Sequence, residues 1–287
     1  MAAAPGMDDP RTLVSVKWVR DHISDPNLVL LDASWHMPAA ERDPQAEYAN
    51  GHIPGARFFD IDAISDTSSP LPHMLPAAET FASSVSSLGI SNTDQIVVYD
   101  TVGLFSAARA WWMFRAMGHD KVAVMDGGLP AWLAAGGTTT DAEEQFECSA
   151  YEARLSSRAV TSLSAMQAAS EGASHVILDA RPAGRFDGSQ PEPRPGLPSG
   201  HMPKATSLPF SNVVTAEGFL MSPPDLENLF AGLGVGPDKD IITTCGSGVT
   251  AAILTLALAR IGVEDTSLYD GSWTQWGSAD GCPIETG

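Results

Sequence analysis

One cysteine stands where the sequence makes chemistry easiest to place. A β-branched run at 241–244 ends at Cys245, a loop with two glycines follows, and an apolar helical run begins at Ala251. This order puts a thiol at the N-terminus of a helix, where backbone N–H groups favour a thiolate and can cradle an anion beside it. The alternative is a buried core cysteine. A loop that only turns does not need glycine on both sides of Ser247, so a reactive thiol is favoured.

Composition limits the classes of partner and the number of domains. The chain has 287 residues, of which 44% are hydrophobic, so about two domains with real cores are predicted. The net charge of −19 argues against nucleic acid and anionic membranes as partners, and an anionic substrate would need a local cluster of arginines. No apolar run approaches the ~18 residues of a membrane span. The N-terminus has neither a basic region nor a long apolar core, so a cytoplasmic protein is expected.

The remaining metal-binding and redox side chains are few and scattered. The cysteines are Cys148, Cys245 and Cys282, too few for a disulfide framework or a zinc site. The seven histidines share no ligand spacing. We therefore expect no metal and no cofactor, with Cys148 and Cys282 structural or incidental.

The two halves of the chain carry the same signals in the same order. Such regular self-similarity indicates a duplicated domain. We predict domains at 10–138 and 159–287, joined by a polar linker at 139–158. The matched segments are 30–34 with 177–181, 51–56 with 200–205, 88–90 with 233–235, 96–100 with 241–245, and 125–132 with 269–276.

Within each half, short β-branched runs alternate with amphipathic helical stretches. This alternation predicts an α/β fold, with a mostly parallel sheet in each half and helices on both faces. Functional groups in such sheets lie beyond the carboxyl ends of the strands, which is where Cys245 falls. The predicted strands are 29–31, 96–99, 122–125, 176–178, 241–244 and 267–269, and the clearest helices are 81–88, 107–117 and 222–233.

The repeat also indicates which half is catalytic. Asp100 stands at the position of Cys245, so the first half lacks the thiol. Its loop keeps Gly103 as the counterpart of Gly248, which predicts the same turn. We interpret the second half as active and the first as supporting.

These motifs together resemble the tandem rhodanese-domain sulfurtransferases over nearly the whole chain, from about Leu13 to Ile284. The resemblance rests on a Gly-His-x-Pro motif early in each half and an Asp-Gly-(Gly/Ser)-x-x-x-Trp motif late in each half. Family members that use thiosulfate typically carry arginine and lysine at the second and third loop positions. The loop here resembles that of the members that use mercaptopyruvate, a monoanionic keto acid, and its residues are Cys245, Gly246, Ser247, Gly248, Val249 and Thr250.

The resemblance also implies residues that bind the substrate. Arg185 and Arg194 resemble the two family arginines that hold the substrate's carboxylate and carbonyl, a task suited to the guanidinium fork. A solvated loop charge is the alternative for each. The loop residues Gly246, Gly248, Val249 and Thr250 are expected to line the substrate site. Arg181 is expected in a structural ion pair instead.

A proton relay is the second implication of the resemblance. Asp62 would orient His73, and His73 would hydrogen-bond Ser247, so that the substrate thiol's proton can move during transfer. A satisfied surface histidine is the alternative for His73. His52 and His201 are expected to anchor the two Gly-His-x-Pro turns.

The function implied is sulfur transfer by covalent catalysis. Cys245 would take the sulfur of 3-mercaptopyruvate as a persulfide, release pyruvate, and pass the sulfur to thioredoxin, a small thiol or cyanide. Two alternatives stay open: a thiosulfate–cyanide sulfurtransferase of the same fold, and a non-enzymatic persulfide carrier. A cysteine phosphatase is disfavoured because it needs an arginine six positions after the cysteine, where this chain has Ala251.

Overall fold

A computed structural model describes residues 8–143, 145–172, 174–236 and 239–287. Residues 1–7, which the expectation about the N-terminus concerns, and Glu144 of the predicted linker lie outside the described residues. Within the described ranges, no helix has both the length and the apolar character needed to cross a bilayer.

The chain forms two compact units. The first contains the residues up to Thr67, Pro76–Leu155 and Ala216–Leu220, and the second contains Ser68–Leu75, Ser156–Thr215 and Met221–Gly287. Each unit therefore includes a short segment from the opposite half of the sequence. Nothing in the sequence pattern indicates this exchange, and the predicted domain boundaries stay predictions.

The first unit is built on a five-stranded parallel sheet with strand order β1-β5-β4-β2-β3. Its strands are β1 (Leu13–Val14), β2 (Leu28–Asp32), β3 (Arg57–Phe58), β4 (Gln95–Tyr99) and β5 (Val122–Met125). Its helices are α1 (Val16–His22), α2 (Pro44–Asn50), α3 (Ala78–Ser87), α4 (Ala107–Ala116) and α5 (Gly128–Ala134).

The second unit repeats this topology, with strand order β6-β10-β9-β7-β8 and every pair parallel. Its strands are β6 (Val160–Thr161), β7 (His175–Asp179), β8 (Ala205–Ser207), β9 (Asp240–Thr244) and β10 (Thr266–Tyr269). Its helices are α6 (Leu163–Glu171), α7 (Ala183–Phe186), α8 (Pro223–Gly232), α9 (Ala251–Arg260) and α10 (Ser272–Trp276). The predicted duplicated α/β fold with parallel sheets is confirmed.

The central strands can be predicted from the sequence, because burial on both faces of the sheet makes each of them a mostly apolar run. In β4 and β9, four of the five residues are buried. The helix that follows β9 is also deeply buried, at eight of its ten residues. The edge strands β1, β3, β6 and β8 have only two or three residues each, too few to show a pattern in the sequence.

The same elements form a core in each unit. In the first unit Val97, Tyr99 and Trp132 pack in one apolar cluster. In the second unit Ile242 packs with Tyr269, and the aromatic rings of Trp273 and Trp276 complete the cluster. The second core therefore packs directly beneath the strand that leads to Cys245.

Candidate active site

Cys245 lies in the loop between β9, which ends at Thr244, and α9, which begins at Ala251. Its side chain is buried, and its backbone is held by the start of α10. The Cys245 N–H donates to Ser272 Oγ at 3.3 Å, and the Trp273 N–H donates to the Cys245 carbonyl at 2.9 Å. The cysteine is therefore fixed in place at the carboxyl end of the sheet, as the sequence predicts.

Gly246 is the point at which two arginines reach the loop. A Cβ added to Gly246 would lie 2.9 Å from Arg185 Nη2 and 3.9 Å from Arg194 Nη1. The Gly246 carbonyl accepts hydrogen bonds from the backbone N–H and the hydroxyl of Thr274, at 3.0 and 2.7 Å. Glycine at this position leaves the space in which the guanidinium groups approach the residue next to the thiol.

The rest of the loop contributes a hydroxyl and a tight turn. Arg194 Nη2 donates to Ser247 Oγ at 3.2 Å, and Ser247 is buried. Gly248 adopts a φ of +80°, a left-handed conformation that favours glycine. Val249 is buried, and Thr250 precedes the first residue of α9.

Arg181 forms a fully buried ion pair, as the sequence analysis expects. Its guanidinium donates to the Asp179 carboxylate at 2.7 to 3.1 Å, to the Gly200 carbonyl at 2.8 Å, and stacks over the Trp273 ring at 4.2 Å. Burial has the largest single effect and lowers the pKa of Arg181, but the charges and hydrogen bonds of Asp179 and Glu192 together outweigh it, so the pKa is raised. The residue is committed to the structure and stays charged.

Glu192 connects this buried pair to Arg185. Its Oε1 accepts from Arg181 Nη1 at 2.8 Å, and its Oε2 accepts from Arg185 Nε at 3.1 Å and from Arg185 Nη2. The carboxylate is 2% exposed, whereas the Arg185 side chain is 16% exposed. Glu192 therefore holds Arg185 in the orientation in which it faces Gly246. Glu192 lies in the sequence run Pro191-Glu192-Pro193-Arg194, but that run by itself does not reveal the bridging contact.

The predicted relay residues fall in different units. His73 belongs to the same unit as Cys245, is buried, and has a φ of +61°. Asp62 belongs to the first unit, where its Oδ2 accepts from Trp35 Nε1 at 3.0 Å. The assignment of Asp62, His73 and Ser247 to one relay stays a prediction.

The loop at Asp100 shows what the equivalent turn does when it carries a carboxylate. Both oxygens of the buried Asp100 side chain accept hydrogen bonds from the backbone, at 2.8 to 2.9 Å. The five N–H donors are those of Val102, Gly103, Phe105, Ser106 and Ala107. The backbone N–H groups of this loop therefore form a complete anion-binding site, and the carboxylate of Asp100 occupies it.

Three residues that support the site were read in the sequence only as part of a repeated motif. Ser272 and Thr274 hold the backbone of the cysteine loop, and Ser272 does so from a strained φ of +50°. Asp270 accepts the N–H of Leu75 at 2.7 Å within the second unit. The Asp-Gly-Ser-x-x-x-Trp motif was the available signal for all three.

The other candidate ligands and thiols lie elsewhere. Among the residues that the structure describes, no group of three histidine, cysteine or acidic side chains is arranged to hold a metal ion. Cys148 is exposed, and Cys282 accepts a hydrogen bond from Gln167 Nε2 at 3.4 Å. The thiol at the end of β9 is therefore the one placed beside the arginines.

Known proteins match both the sequence and the fold of this chain. The family model described as a rhodanese-like domain matches residues 15–135 and 162–279. The chain is 44% identical to 3-mercaptopyruvate sulfurtransferase of Escherichia coli K12 over 95% of this chain and 97% of that one. It is 40% identical to bovine (Bos taurus) thiosulfate sulfurtransferase, over 93% and 92% of the two chains. The crystal structure of SseA from Escherichia coli, described as a 3-mercaptopyruvate sulfotransferase, superposes with a TM-score of 0.83 at 42% identity, covering 92% of this chain and 99% of that one.

Proposed function

Since this chain belongs to the rhodanese family of sulfur-transferring enzymes, we propose that it takes sulfur from 3-mercaptopyruvate through a persulfide on Cys245. The observation that carries the proposal is the approach of Arg185 and Arg194 to the loop of that cysteine. Two guanidinium groups beside one loop form a site for a small carboxylate, because each can donate two parallel hydrogen bonds to it. On a chain with net charge −19, such a site has to be built locally.

The first half-reaction forms the persulfide. The substrate carboxylate binds Arg185 and Arg194, which brings the C3 sulfur next to Cys245. The Cys245 thiolate attacks that sulfur and forms an S–S bond. The C–S bond breaks, its electron pair passes to the substrate as the enolate of pyruvate, and protonation of that enolate yields pyruvate.

The amide cradle stabilises the sulfur anion. The Asp100 loop holds a carboxylate with five backbone N–H groups. The two units share one topology, so we infer that the equivalent N–H groups face the sulfur of Cys245. The equivalent residues are Ser247, Gly248, Thr250, Ala251 and Ala252.

A relay through Ser247 and His73 moves the proton. The Ser247 hydroxyl lies at the loop, hydrogen-bonded to Arg194, and the His73 imidazole is buried in the same unit. In this proposal they take the substrate thiol's proton and return it to the enolate carbon. Such a transfer balances the charges of the first half-reaction.

The second half-reaction regenerates the thiolate. An acceptor thiolate, or cyanide, attacks the outer sulfur of the persulfide, and the electron pair of the S–S bond returns to Cys245. The products are the acceptor's persulfide, or thiocyanate. With a dithiol acceptor such as reduced thioredoxin, the second thiol then displaces hydrogen sulfide and a disulfide forms.

Persulfide formation is tested by mass spectrometry of the intact protein after addition of 3-mercaptopyruvate. We expect a gain of one sulfur atom that maps to Cys245, and no gain and no turnover in Cys245→Ser. Cys148→Ser is the matched control and should keep full turnover, because this thiol is exposed and lies outside the loop. Turnover retained by Cys245→Ser contradicts the proposal.

Thiosulfate is the second candidate donor, because a relative at 40% identity is a thiosulfate sulfurtransferase. Thiosulfate is a dianion, and Gly246 and Ser247 add no charge to the loop. We therefore expect a higher kcat/KM for 3-mercaptopyruvate than for thiosulfate in a steady-state comparison with cyanide as acceptor. The opposite ranking would identify the protein as a thiosulfate enzyme.

A persulfide carrier would also form the Cys245 adduct, so turnover separates it from an enzyme. A carrier receives its sulfur from a partner protein and therefore does not need a binding site for a keto acid. Repeated turnover of 3-mercaptopyruvate by the isolated protein, and its loss in Arg185→Ala with the fold intact, exclude the carrier. Single loading without turnover supports it.

A further inference from the structure

The segment that carries His73 is held in the second unit by a buried carboxylate. Ser68–Leu75 comes from the first half of the sequence but belongs to the unit of Cys245. Within that unit, the Leu75 N–H donates to Asp270 Oδ2 at 2.7 Å. Asp270 is 2% exposed and directly follows β10. A charged acceptor in a buried site makes a stronger hydrogen bond than a neutral one, so this contact fixes the end of the segment.

The first unit contains the same contact in the same register of the repeat. There the Leu220 N–H donates to Asp126 Oδ1 at 2.9 Å, and Leu220 lies at the end of Ala216–Leu220, the segment that comes from the second half of the sequence. Each unit therefore uses the aspartate of its Asp-Gly motif to hold a segment from the other half. Because this contact recurs at both equivalent positions, it is a repeated structural feature of the fold.

The two segments differ at the residue two positions before the leucine. In the first unit this residue is Gly218, at a φ of +82°. It packs on the loop that is equivalent to the cysteine loop, since a Cβ on Gly103 would lie 3.0 Å from Gly218 Cα. In the second unit the residue is His73, at a φ of +61°. A β-carbon in this conformation is strained, and such strain persists only where surrounding contacts fix the backbone.

We propose that Asp270 is a positioning residue, whose bond to the Leu75 N–H holds the strained His73 backbone so that the imidazole stays at the Cys245 loop. The proposal rests on the proposed function, because it assigns His73 a part in proton transfer. Asp270 does not touch the substrate in this mechanism and acts only through His73. Asp126 performs the same mechanical task in the unit that has no thiol.

A double-mutant cycle on Asp270→Ala and His73→Ala tests this dependence. We expect Asp270→Ala to lower kcat about tenfold or more, with the KM of the donor changed less than about threefold. In the His73→Ala background the same substitution should cost nothing further, because the residue it positions is gone. Equal losses in both backgrounds, or no loss in either, overturn the proposal.

Asp126→Ala is the matched control. It removes the equivalent hydrogen bond in the first unit and should lower the melting temperature about as much as Asp270→Ala, with kcat within about twofold of the wild type. If Asp270→Ala does not fold, the cycle is run with Asp270→Asn. This variant exchanges a charged acceptor for a weaker neutral one, and about a threefold loss that disappears in the His73→Ala background is then expected. A loss of kcat in Asp126→Ala equal to that in Asp270→Ala contradicts the proposal.

Hydrogen exchange of the 68–75 segment gives a measurement independent of the donor. Asp270→Ala should speed exchange in this segment, and Asp126→Ala should not. Unchanged exchange overturns the positioning contact even if turnover falls. If the wild type uses thiosulfate and not 3-mercaptopyruvate, the proposed donor is wrong, and the hydrogen-exchange comparison, which uses no donor, still decides whether Asp270 holds the segment of His73.

Discussion

The loops at Asp100 and Cys245 are two versions of one turn, at the carboxyl end of the equivalent strands β4 and β9. The first loop binds its own carboxylate with five backbone N–H groups and is thereby internally satisfied. The second loop replaces this carboxylate by a thiol, and two arginines approach it. Under the proposed function, the same backbone turn stabilises the fold in the first unit and binds a reacting anion in the second. Which of the two it does depends on one side chain and its charged neighbours.

The side chains near the two loops also differ, because the aspartate that ends the neighbouring strand pairs with an arginine in the second unit and bonds to a serine in the first. The strand next to β4 ends at Asp32, which bonds to the N–H and hydroxyl of Ser34 at 3.0 and 2.5 Å. The strand next to β9 ends at Asp179, which pairs with Arg181. From Arg181 the network continues through Glu192 to Arg185. The second unit therefore has a network of charged side chains that extends to the Cys245 loop. The first unit has a short polar contact at the equivalent place.

The largest expected difference between the two loops is the loss of unfolding free energy when the side chain at the end of the strand is removed. Asp100→Ala removes the acceptor of five backbone N–H groups, three of them in buried contacts, and each group left buried and unsatisfied costs about 1–3 kcal/mol before relaxation. We expect the free energy of unfolding to fall by about 3–5 kcal/mol, against about 1 kcal/mol for Cys245→Ala, which removes one small side chain. Urea unfolding of both variants measures the difference. Equal losses would mean that the first loop is not a carboxylate cradle.

The next effect is a pH dependence of stability that arises at Asp32 in the first unit. Burial raises the pKa of Asp32 to about 6, the Ser34 hydrogen bonds oppose this rise, and the charge of Asp100 adds to it. A folded pKa above the ordinary ~3.9 means that this stability is complete below about pH 4 and lost as the pH rises through 6. The loss is about 3 kcal/mol, so Asp32→Asn should exceed the wild type in stability at about pH 8 and match it near pH 4.

Asp179→Asn provides the contrast with Asp32→Asn. It removes the charge that pairs with buried Arg181, so it should lower stability at about pH 8. Urea unfolding across the pH range measures both variants. Two aspartates at equivalent strand ends are thus expected to respond with opposite signs. A stabilising effect of Asp179→Asn at this pH contradicts the role of the ion pair.

The smallest expected effect comes from filling the space at Gly246, the residue next to Cys245. Gly246→Ala places a methyl group 2.9 Å from Arg185 Nη2, which Glu192 holds in place, so the guanidinium must shift. We expect the KM of the donor to rise about tenfold, equivalent to about 1.4 kcal/mol of binding, with little change in stability. Thr101→Ala, at the equivalent position of the first unit, is the control and should leave steady-state kinetics unchanged. An unchanged KM in Gly246→Ala would show that Arg185 does not need this gap.

Much of the fold is predictable because its central elements are locally encoded. The strand, glycine loop and buried helix around Cys245 follow one another in the sequence, and the repeat identifies Asp100 as the counterpart. The residues that sequence reasoning passed over act through side-chain contacts that no periodic pattern encodes, across 7 and 11 positions for Glu192 and 195 positions for Asp270. Glu192 bridges two arginines, and Asp270 bonds to Leu75 on a segment from the other half of the chain. No local pattern marks a side chain whose partner lies far away in the sequence.

The sequence by itself determined the duplicated α/β fold, the position of the thiol and the residue that replaces it in the first half, because hydrophobic periodicity and repeated motifs are properties of neighbouring residues. Only the tertiary structure decided that Arg185 and Arg194 converge on Gly246 and Ser247. It likewise decided that the two halves exchange segments. These features depend on how distant parts of the chain pack together, since charged groups gain strong partners in a buried site only when folding brings those partners within hydrogen-bond distance.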